Sequence, residues 1–256
     1  MSAATAQSSD VAVYALRLGD DALVLAQRLS EWCSNAPELE EDLALTNVAL
    51  DLLGQARMLL SLAGELEGHG RSEDDLAYLR DERAFLNAGL VEQPNGDFGQ
   101  TIARQLLFST YQLALYEQLT VSVDPTLAAV AGKAVKEVAY HRDHAERWTV
   151  RLGDGTEESH ARMQAGLERM WPYAAELFER DALLERLVAA GVAADPGSLR
   201  AAWEERVSAI LADATLAVPE TSWRPTGART GLHSEALGHL LAELQSLHRA
   251  HPGATW

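Results

Sequence analysis

The sequence predicts an all-α protein built as an up-and-down bundle of long helices. Apolar residues recur at spacings of three and four through most of the 256 residues, which is the period of an amphipathic helix. The alternation of apolar and polar residues that marks a half-buried strand is nearly absent. Several predicted helices exceed about 20 residues and have short connections, and this combination favours a bundle over a globin-like packing.

Four helices are predicted in the first half of the chain, at about 10–33, 41–68, 72–90 and 99–121. In the second of these, apolar residues alternate steps of four and three and so form a continuous helical seam. Pro37 lies in the break before this helix, and Gly68 ends it. Ser72 with Asp75 predicts a capping box at the start of the third helix. The proline and glycines of 91–99 predict a loop before the fourth.

The second half predicts helices at about 125–152, 157–178, 181–190, 198–215 and 234–250. Asp124 and Pro125 pair an N-cap with a proline at the first helical position. Pro172 is expected to kink or divide the helix that contains it. Residues 217–232, with two prolines and two glycines, predict a long irregular segment. We expect residues 1–10 to be a disordered tail and residues 11–256 to form a single domain with additional C-terminal helices.

The charge balance excludes several classes of partner. The chain has 38 acidic and 21 basic residues, a formal net charge of −17. This disfavours binding to nucleic acid, which needs clustered Lys and Arg, and equally to an anionic membrane surface. No run approaches about 18 consecutive apolar residues, and residues 1–9 lack the features of a secretory signal. We therefore expect a soluble, cytoplasmic protein.

The single cysteine limits the metal chemistry available to the chain. Cys33 by itself excludes an internal disulfide, a cysteine-based zinc site and an iron–sulfur cluster. No neighbouring residue signals thiolate activation, so Cys33 is interpreted as a small buried hydrophobe.

A bundle of long helices raises the question of a carboxylate-bridged di-metal site. Such a site takes a Glu from each of two helices and a Glu-x-x-His pair from each of two others. The sequence does not contain two such pairs: it has one Glu-x-x-His, at Glu157-x-x-His160. Glu137, His141 and His144 fall within about 60° of one another on one helix, and could form a metal cluster. The alternative is a histidine at the edge of the core, paired with Glu137 or with a neighbouring helix.

A second polar file runs along the second predicted helix, where Asn47, Asp51 and Gln55 follow at steps of four. A Glu-x-x-His that began at position 51 would place its histidine at Gly54, which has no side chain to bind metal. We interpret the file as buried polar residues that fix helix register by hydrogen bonding to a neighbour.

The late irregular segment carries the basic and aromatic residues best suited to a partner. Trp223, Arg224 and Arg229 lie within 217–232, and His233 follows directly. Trp and Arg are enriched at interface hot spots, and long loops in compact domains are often functional. These residues could hold an anionic ligand or an acidic partner; the alternative is a solvated loop packed on its own bundle.

Four long segments of the chain are distinctive: residues 16–33 (LRLGDDALVLAQRLSEWC), 36–57 (APELEEDLALTNVALDLLGQAR), 81–105 (DERAFLNAGLVEQPNGDFGQTIARQ) and 230–256 (TGLHSEALGHLLAELQSLHRAHPGATW). These segments resemble the PaaC family, the C subunits of bacterial phenylacetyl-CoA epoxidases, also called ring-1,2-epoxidases. The resemblance covers essentially the whole chain after about residue 11. It implies a ferritin-like helical fold and a place in aerobic phenylacetate degradation, where the complex uses O₂ and reducing equivalents to epoxidise the ring of phenylacetyl-CoA.

The resemblance also implies where the cofactors of such a complex lie. In these epoxidases the di-iron centre belongs to the catalytic A subunit, and a reductase with flavin and Fe–S groups delivers electrons from NADPH. The PaaC proteins look like relatives of the catalytic subunit that have lost their metal site and bind it in a hetero-oligomer. The implied role for this chain is structural and non-catalytic, with no cofactor of its own and with the catalytic subunit and the other epoxidase subunits as partners.

The residues agree with a lost metal site. On the bundle pattern, Asp51-x-x-Gly54 and Glu137-x-x-Tyr140 stand where Glu-x-x-His pairs are expected, and His141 follows directly. We interpret these positions as a vestigial metal site and assign no catalytic residue. Two alternatives stay open: a metal-binding oxygenase subunit that uses Glu137, His141 and His144, and an acidic helical adaptor unrelated to oxygenation.

Overall fold

The structure is a computed structural model that describes residues 3–254, with side chains described from residue 7. Its α-helices are α1 (Ala3–Ser30), α2 (Leu39–Glu67), α3 (Glu73–Tyr78), α4 (Phe98–Leu119), α5 (Pro125–Gly153), α6 (Glu157–Met170), α7 (Ala182–Ala189), α8 (Pro196–Asp213) and α9 (Glu235–Ala250). Short 3₁₀ helices cover Glu82–Ala84, Trp171–Phe178 and Ala228–Thr230. No strand occurs in the described residues, and the all-α prediction is confirmed.

Several helix ends follow directly from their sequence signals. The Asp124 carboxylate accepts hydrogen bonds from the backbone N–H groups of Thr126 and Leu127, and Pro125 occupies the first turn of α5. Ser72 and Asp75 form the predicted capping box. The helix predicted over 157–178 is divided next to Pro172, since α6 ends at Met170 and a 3₁₀ helix follows.

The structure differs from two expectations, one at each end of α1. Helix α1 begins at Ala3, so residues 3–10 belong to a helix and not to a disordered tail; residues 1 and 2 lie outside the described residues. Ala is the strongest helix former and the segment extends a long packed helix, which favours helix over disorder. Cys33 is exposed in the turn after α1, because the helix ends before it and no apolar surface covers it.

The third helix is much shorter than predicted. It ends at Tyr78, and the chain from Leu79 to Asp97 is irregular apart from one 3₁₀ turn. Buried side chains of α1 take over backbone hydrogen bonds in this stretch: the Asp20 carboxylate accepts from the N–H of Leu86, and the Asp21 carboxylate from that of Ala88. Tertiary hydrogen bonds therefore replace the helical ones that the local pattern predicts.

The described residues fall into two compact units, and the single domain expected over 11–256 stays a prediction. The first unit comprises the described residues of 1–94 and 227–256, and the second comprises residues 95–226. In the first, α1 packs along α2, and α3 and α9 complete the unit. In the second, α4 packs against α5, α6 and α8, and it is buried along nearly its whole length.

Helix α2 is unusually apolar for a helix with an exposed face. Among the described residues it is the one helix whose length and mean hydropathy match those of a membrane span, and 44% of its most apolar stretch is buried. The core helix of a soluble protein meets the same two criteria. The sequence predicts no membrane-spanning segment.

Candidate functional site

The α2 positions of the predicted vestigial metal site are only partly buried. Asp51 and Gly54 are both half-buried. A Cβ atom built on Gly54 would meet no other atom within 4 Å, so the space beside this glycine is open. Position 54 therefore does not lie in a closed pocket within its own unit.

The α5 positions belong to the second unit and differ in exposure. His141 lies in the buried stripe of α5 and is 2% exposed, whereas Glu137 and His144 are half-buried. Tyr140 is 49% exposed, because one residue along a helix turns the side chain about 100° away from that stripe. The Tyr140 ring lies 6.5 Å from the ring of His141 and 6.2 Å from that of His144.

These histidines and acids do not converge on a common point. Across the part of the chain that the structure describes, no group of three His, Cys, Asp or Glu side chains is placed to hold a metal ion. The vestigial metal site, and the alternative of a metal cluster at Glu137, His141 and His144, both stay predictions.

The first unit instead contains a buried network of ion pairs, which begins with Asp20. The Asp20 and Arg80 side chains are nearly fully buried and form a two-point ion pair, with one nitrogen–oxygen distance of 2.9 Å. Arg80 Nη1 also donates to the carbonyl of Ala84 at 2.8 Å, and Asp20 accepts from Leu86 N–H at 2.8 Å. The pair thus holds the irregular stretch after α3 against α1.

Asp21, the next residue, is paired with Arg229. The guanidinium donates to both carboxylate oxygens, at 3.0 and 2.8 Å, and also to the carbonyl of Leu86 at 3.1 Å. Burial raises the pKa of Asp21, and Arg229 together with the N–H of Ala88 opposes that rise. The Arg229 side chain is only 18% exposed, so Arg229 is not part of an exposed contact surface.

Two glycines allow the turn that places the Arg229 side chain against Asp21. Gly227 and Gly231 flank the 3₁₀ turn Ala228–Thr230 with φ values of 105° and 85°, a region that favours glycine. A Cβ atom on Gly231 would lie 2.3 Å from the carbonyl oxygen of Arg83. This close approach brings the turn against the irregular stretch that Asp20 and Asp21 hold.

His233 and Glu92 form a third buried ion pair. His233 Nδ1 lies 2.7 Å from Glu92 Oε2, and Nε2 lies 2.8 Å from the carbonyl oxygen of Phe85. Both neighbours offer acceptor oxygens, an arrangement that favours the doubly protonated ring, in which both nitrogens donate. Burial lowers the pKa of His233, but the hydrogen bonds to Glu92 and Phe85 outweigh it, and the pKa is raised overall.

Glu92 also receives backbone and side-chain donors. It accepts from Ser234 N–H at 2.7 Å and from the Asn87 side chain at 2.9 Å. The Glu92 carbonyl in turn accepts from the Arg28 guanidinium at 2.8 and 3.0 Å. The buried carboxylates Asp20, Asp21 and Glu92 are therefore all matched by cations and N–H groups of the protein. Sequence reasoning missed this network, because its partners are 60 or more residues apart.

Of the predicted partner-contact residues, Trp223 and Arg224 are exposed in the second unit. The Trp223 side chain is 57% exposed, and its ring meets that of Tyr173 edge to face at 5.4 Å. Arg224 lies at the edge of a groove of about 300 Å³ whose walls include Trp171, Phe178 and Trp203. An aromatic groove with a guanidinium at its edge is suited to contacting an apolar or aromatic side chain of another protein.

The described residues form an all-helical fold of long packed helices, which is consistent with the ferritin-like class. The model of the family described as phenylacetic acid catabolic protein matches residues 1–256 of the chain. The chain belongs to this family. It is 52% identical over 248 residues to the C subunit of 1,2-phenylacetyl-CoA epoxidase from Escherichia coli (strain K12). The match covers 97% of this chain and 100% of the relative.

Proposed function

We propose that this chain is a structural, non-catalytic subunit of a multi-subunit phenylacetyl-CoA epoxidase of aerobic phenylacetate catabolism. The observation that carries the proposal is the 52% identity to the C subunit of such an epoxidase across the full length of that relative. In this role the chain supports the catalytic subunit, which carries the di-iron centre. A reductase with flavin and Fe–S groups supplies electrons from NADPH, and the assembly is cytoplasmic.

The chemistry of the buried acids supports a non-catalytic role. A carboxylate-bridged di-iron site needs a Glu-x-x-His pair from each of two helices. The sequence contains a single such pair, Glu157-x-x-His160, in which Glu157 is exposed and His160 Nδ1 lies 2.7 Å from the carbonyl oxygen of Gly153. In the first unit Asp20, Asp21 and Glu92 face Arg80, Arg229 and His233. A carboxylate already neutralised by a protein cation is a poor ligand for a metal ion, because binding would require the ion pair to break.

Reconstitution of the epoxidase tests the proposal. We expect the purified chain to give no oxygenation of phenylacetyl-CoA with O₂ and an electron donor, and to hold far less than stoichiometric iron. Adding the catalytic subunit and the reductase is expected to give turnover, and omitting this chain from the mixture to abolish it. Turnover by the chain alone, or about two irons per chain as in a di-iron protein, would contradict the proposal.

A further inference from the structure

We propose that the exposed face of α2 is a docking surface for an apolar helix of another epoxidase subunit whose flanks carry Lys or Arg. The surface, called the leucine stripe below, consists of Leu39, Leu43, Leu50 and Leu53. This inference rests on the proposed function and adds to it the surface and the chemistry of the partner.

The stripe is an apolar feature of one helix face, interrupted by Thr46 between Leu43 and Leu50. Its four leucines are 71%, 59%, 59% and 39% exposed in chain order. At 100° per residue they fall within about 80° of one another, and at 1.5 Å per residue they extend over about 21 Å. Singly exposed leucines are ordinary, but several on one line form a patch of the kind that marks an interaction site.

The stripe is separate from the apolar seam that packs inside the first unit. Leu45, Leu52 and Leu59, which belong to that seam, are each 1% exposed, and α2 packs along α1. The leucine stripe lies on another side of the same helix. Two apolar faces on one helix are more than the packing of the unit requires, which accounts for the high mean hydropathy of α2.

The charges beside the stripe select the kind of partner. From residue 38 to residue 56 the helix and its cap contain no Lys, Arg or His and five acids. These acids are Glu38, Glu40, Glu41, Asp42 and Asp51. The first base along the helix is Arg57, whose Nε donates to Glu73 at 2.7 Å. The stripe therefore lies in a negative field, and complementary charge on a partner means Lys or Arg on both sides of its apolar helix.

The same charges disfavour the other possible occupants. An anionic membrane surface attracts helices with Lys and Arg beside the apolar face, and this face has none before Arg57. A second copy of the chain would bring two acidic flanks together and add to a net charge of −17 on each copy, which is repulsive. A basic helix of a different subunit meets neither obstacle.

The C-terminal end of the stripe also allows close approach. Gly54 follows Leu50 by one turn, and a Cβ atom there would meet nothing within 4 Å. A partner helix that lies along the leucines can therefore approach the α2 backbone at this turn without displacing a side chain of this chain.

Co-purification of the complete chain with the other epoxidase subunits tests the inference. The double variant Leu43→Lys, Leu50→Lys is expected to bind those subunits about 30-fold or more weakly, the scale of an interface hot spot. Lys is a good helix former, so circular dichroism should show wild-type helicity. The matched control is Leu247→Lys, which changes a leucine that is 56% exposed on α9 and is expected to bind as wild type does.

A second pair of variants tests the charge argument without altering an apolar residue. Glu38→Lys with Glu40→Lys is expected to weaken the complex and to reduce its sensitivity to salt, since it removes attraction to a basic partner. Glu243→Lys, at an exposed position of α9, is the control and should leave affinity unchanged.

The outcomes separate this inference from the proposed function. If the wild-type chain assembles with the epoxidase subunits and both variant pairs assemble equally well, the docking surface is wrong while the proposed function stands. If the wild-type chain does not assemble, both are overturned. Loss of a homodimer by sedimentation in the leucine variant, or loss of binding to vesicles containing phosphatidylserine, would assign the stripe to a second copy or to a membrane and overturn the inference.

Discussion

Residues 217–226 and residues 227–234 are adjacent in the chain, are similarly irregular and contain similar residue types, yet their surroundings are opposite. The first stretch, the exposed loop, presents Trp223 at 57% exposure with Arg224 beside it. The second, the anchor segment, places Arg229 against Asp21 and His233 against Glu92 in the buried network of the first unit. Both guanidiniums belong to one stretch of sequence, but only that of Arg224 is exposed.

The difference shows that residue type does not decide between partner contact and internal support. Arg229 and His233 do bind acids, as their chemistry predicts, but the acids belong to α1 and to the stretch after α3. An ion pair buried in this way stabilises the fold mainly through the cost of breaking it. An exposed Arg such as Arg224 is worth little to the fold and remains available to a partner.

The largest expected effect is that of removing the cation opposite Asp21. Arg229→Ala leaves a fully buried carboxylate without its ion pair, so we expect the free energy of unfolding at pH 7 to fall by about 3 kcal/mol or more. The loss should shrink at acid pH, where Asp21 is protonated. Arg224→Ala is the matched control and should change stability by less than about 0.5 kcal/mol, as measured by urea unfolding. Equal effects of the two substitutions would remove the contrast between the segments.

The His233–Glu92 pair is expected to make the stability of the protein pH-dependent. Because the folded-state pKa of His233 is raised, its contribution is fully present below the unfolded value of about 6.5 and is lost as pH rises through the folded value. His233→Gln should lower the free energy of unfolding by about 1.5–3 kcal/mol at pH 6, the scale of a hydrogen bond to a charged group, and should flatten this part of the pH profile. His239→Gln, at an exposed position of α9, should keep the wild-type profile; a sloping profile in His233→Gln would assign the effect to another group.

A substitution of Trp223 tests whether the exposed loop contacts a partner. We expect Trp223→Ala to weaken binding to the catalytic subunit by about 2 kcal/mol, the scale of a hot spot, when measured by titration calorimetry. The edge-to-face contact with Tyr173 is worth about 0.5–1.5 kcal/mol to the isolated chain, so thermal unfolding should change little. A large loss of thermal stability with wild-type affinity for the catalytic subunit would mean that Trp223 only fastens its own loop.

The smallest expected effect concerns two glycines of α2, one with open space beside it and one in close contact with the backbone. A Cβ atom on Gly54 meets open space, whereas one on Gly64 would lie 2.2 Å from the carbonyl oxygen of Arg71. Gly54→Ala should therefore stabilise the isolated chain by about 0.5–1 kcal/mol through helix propensity, and Gly64→Ala should destabilise it. Urea unfolding of both variants measures this, and destabilisation by Gly54→Ala would show that position 54 is more confined than its surroundings indicate.

Helix positions were predictable where the signal is local. The Asp124–Pro125 start of α5, the Ser72–Asp75 capping box and the division at Pro172 each depend on residues within one turn of each other. The length of α3 was not predictable from the same signals, since the chain after Tyr78 leaves the helix to meet Asp20 and Asp21 of α1.

The candidate site was predictable only in part. The lack of a second Glu-x-x-His pair and the glycine at position 54 are visible in the sequence, and so are Trp223 and Arg224 as residues suited to a partner. The exposure of Tyr140 and the ion pair between Arg229 and Asp21 were not predictable, because both depend on which surfaces the folded chain covers.

The sequence by itself determined the helical period, the helix starts and stops marked by caps and prolines, the acidic charge and the family resemblance. These properties depend on residue identity and on neighbours a few positions away. The tertiary structure alone decided that Asp21 pairs with Arg229, that Glu92 pairs with His233, and that one side of α2 keeps its leucines exposed. Pairs that are 141 and 208 residues apart leave no periodic trace in a sequence, because the contact between them exists only after the chain has folded.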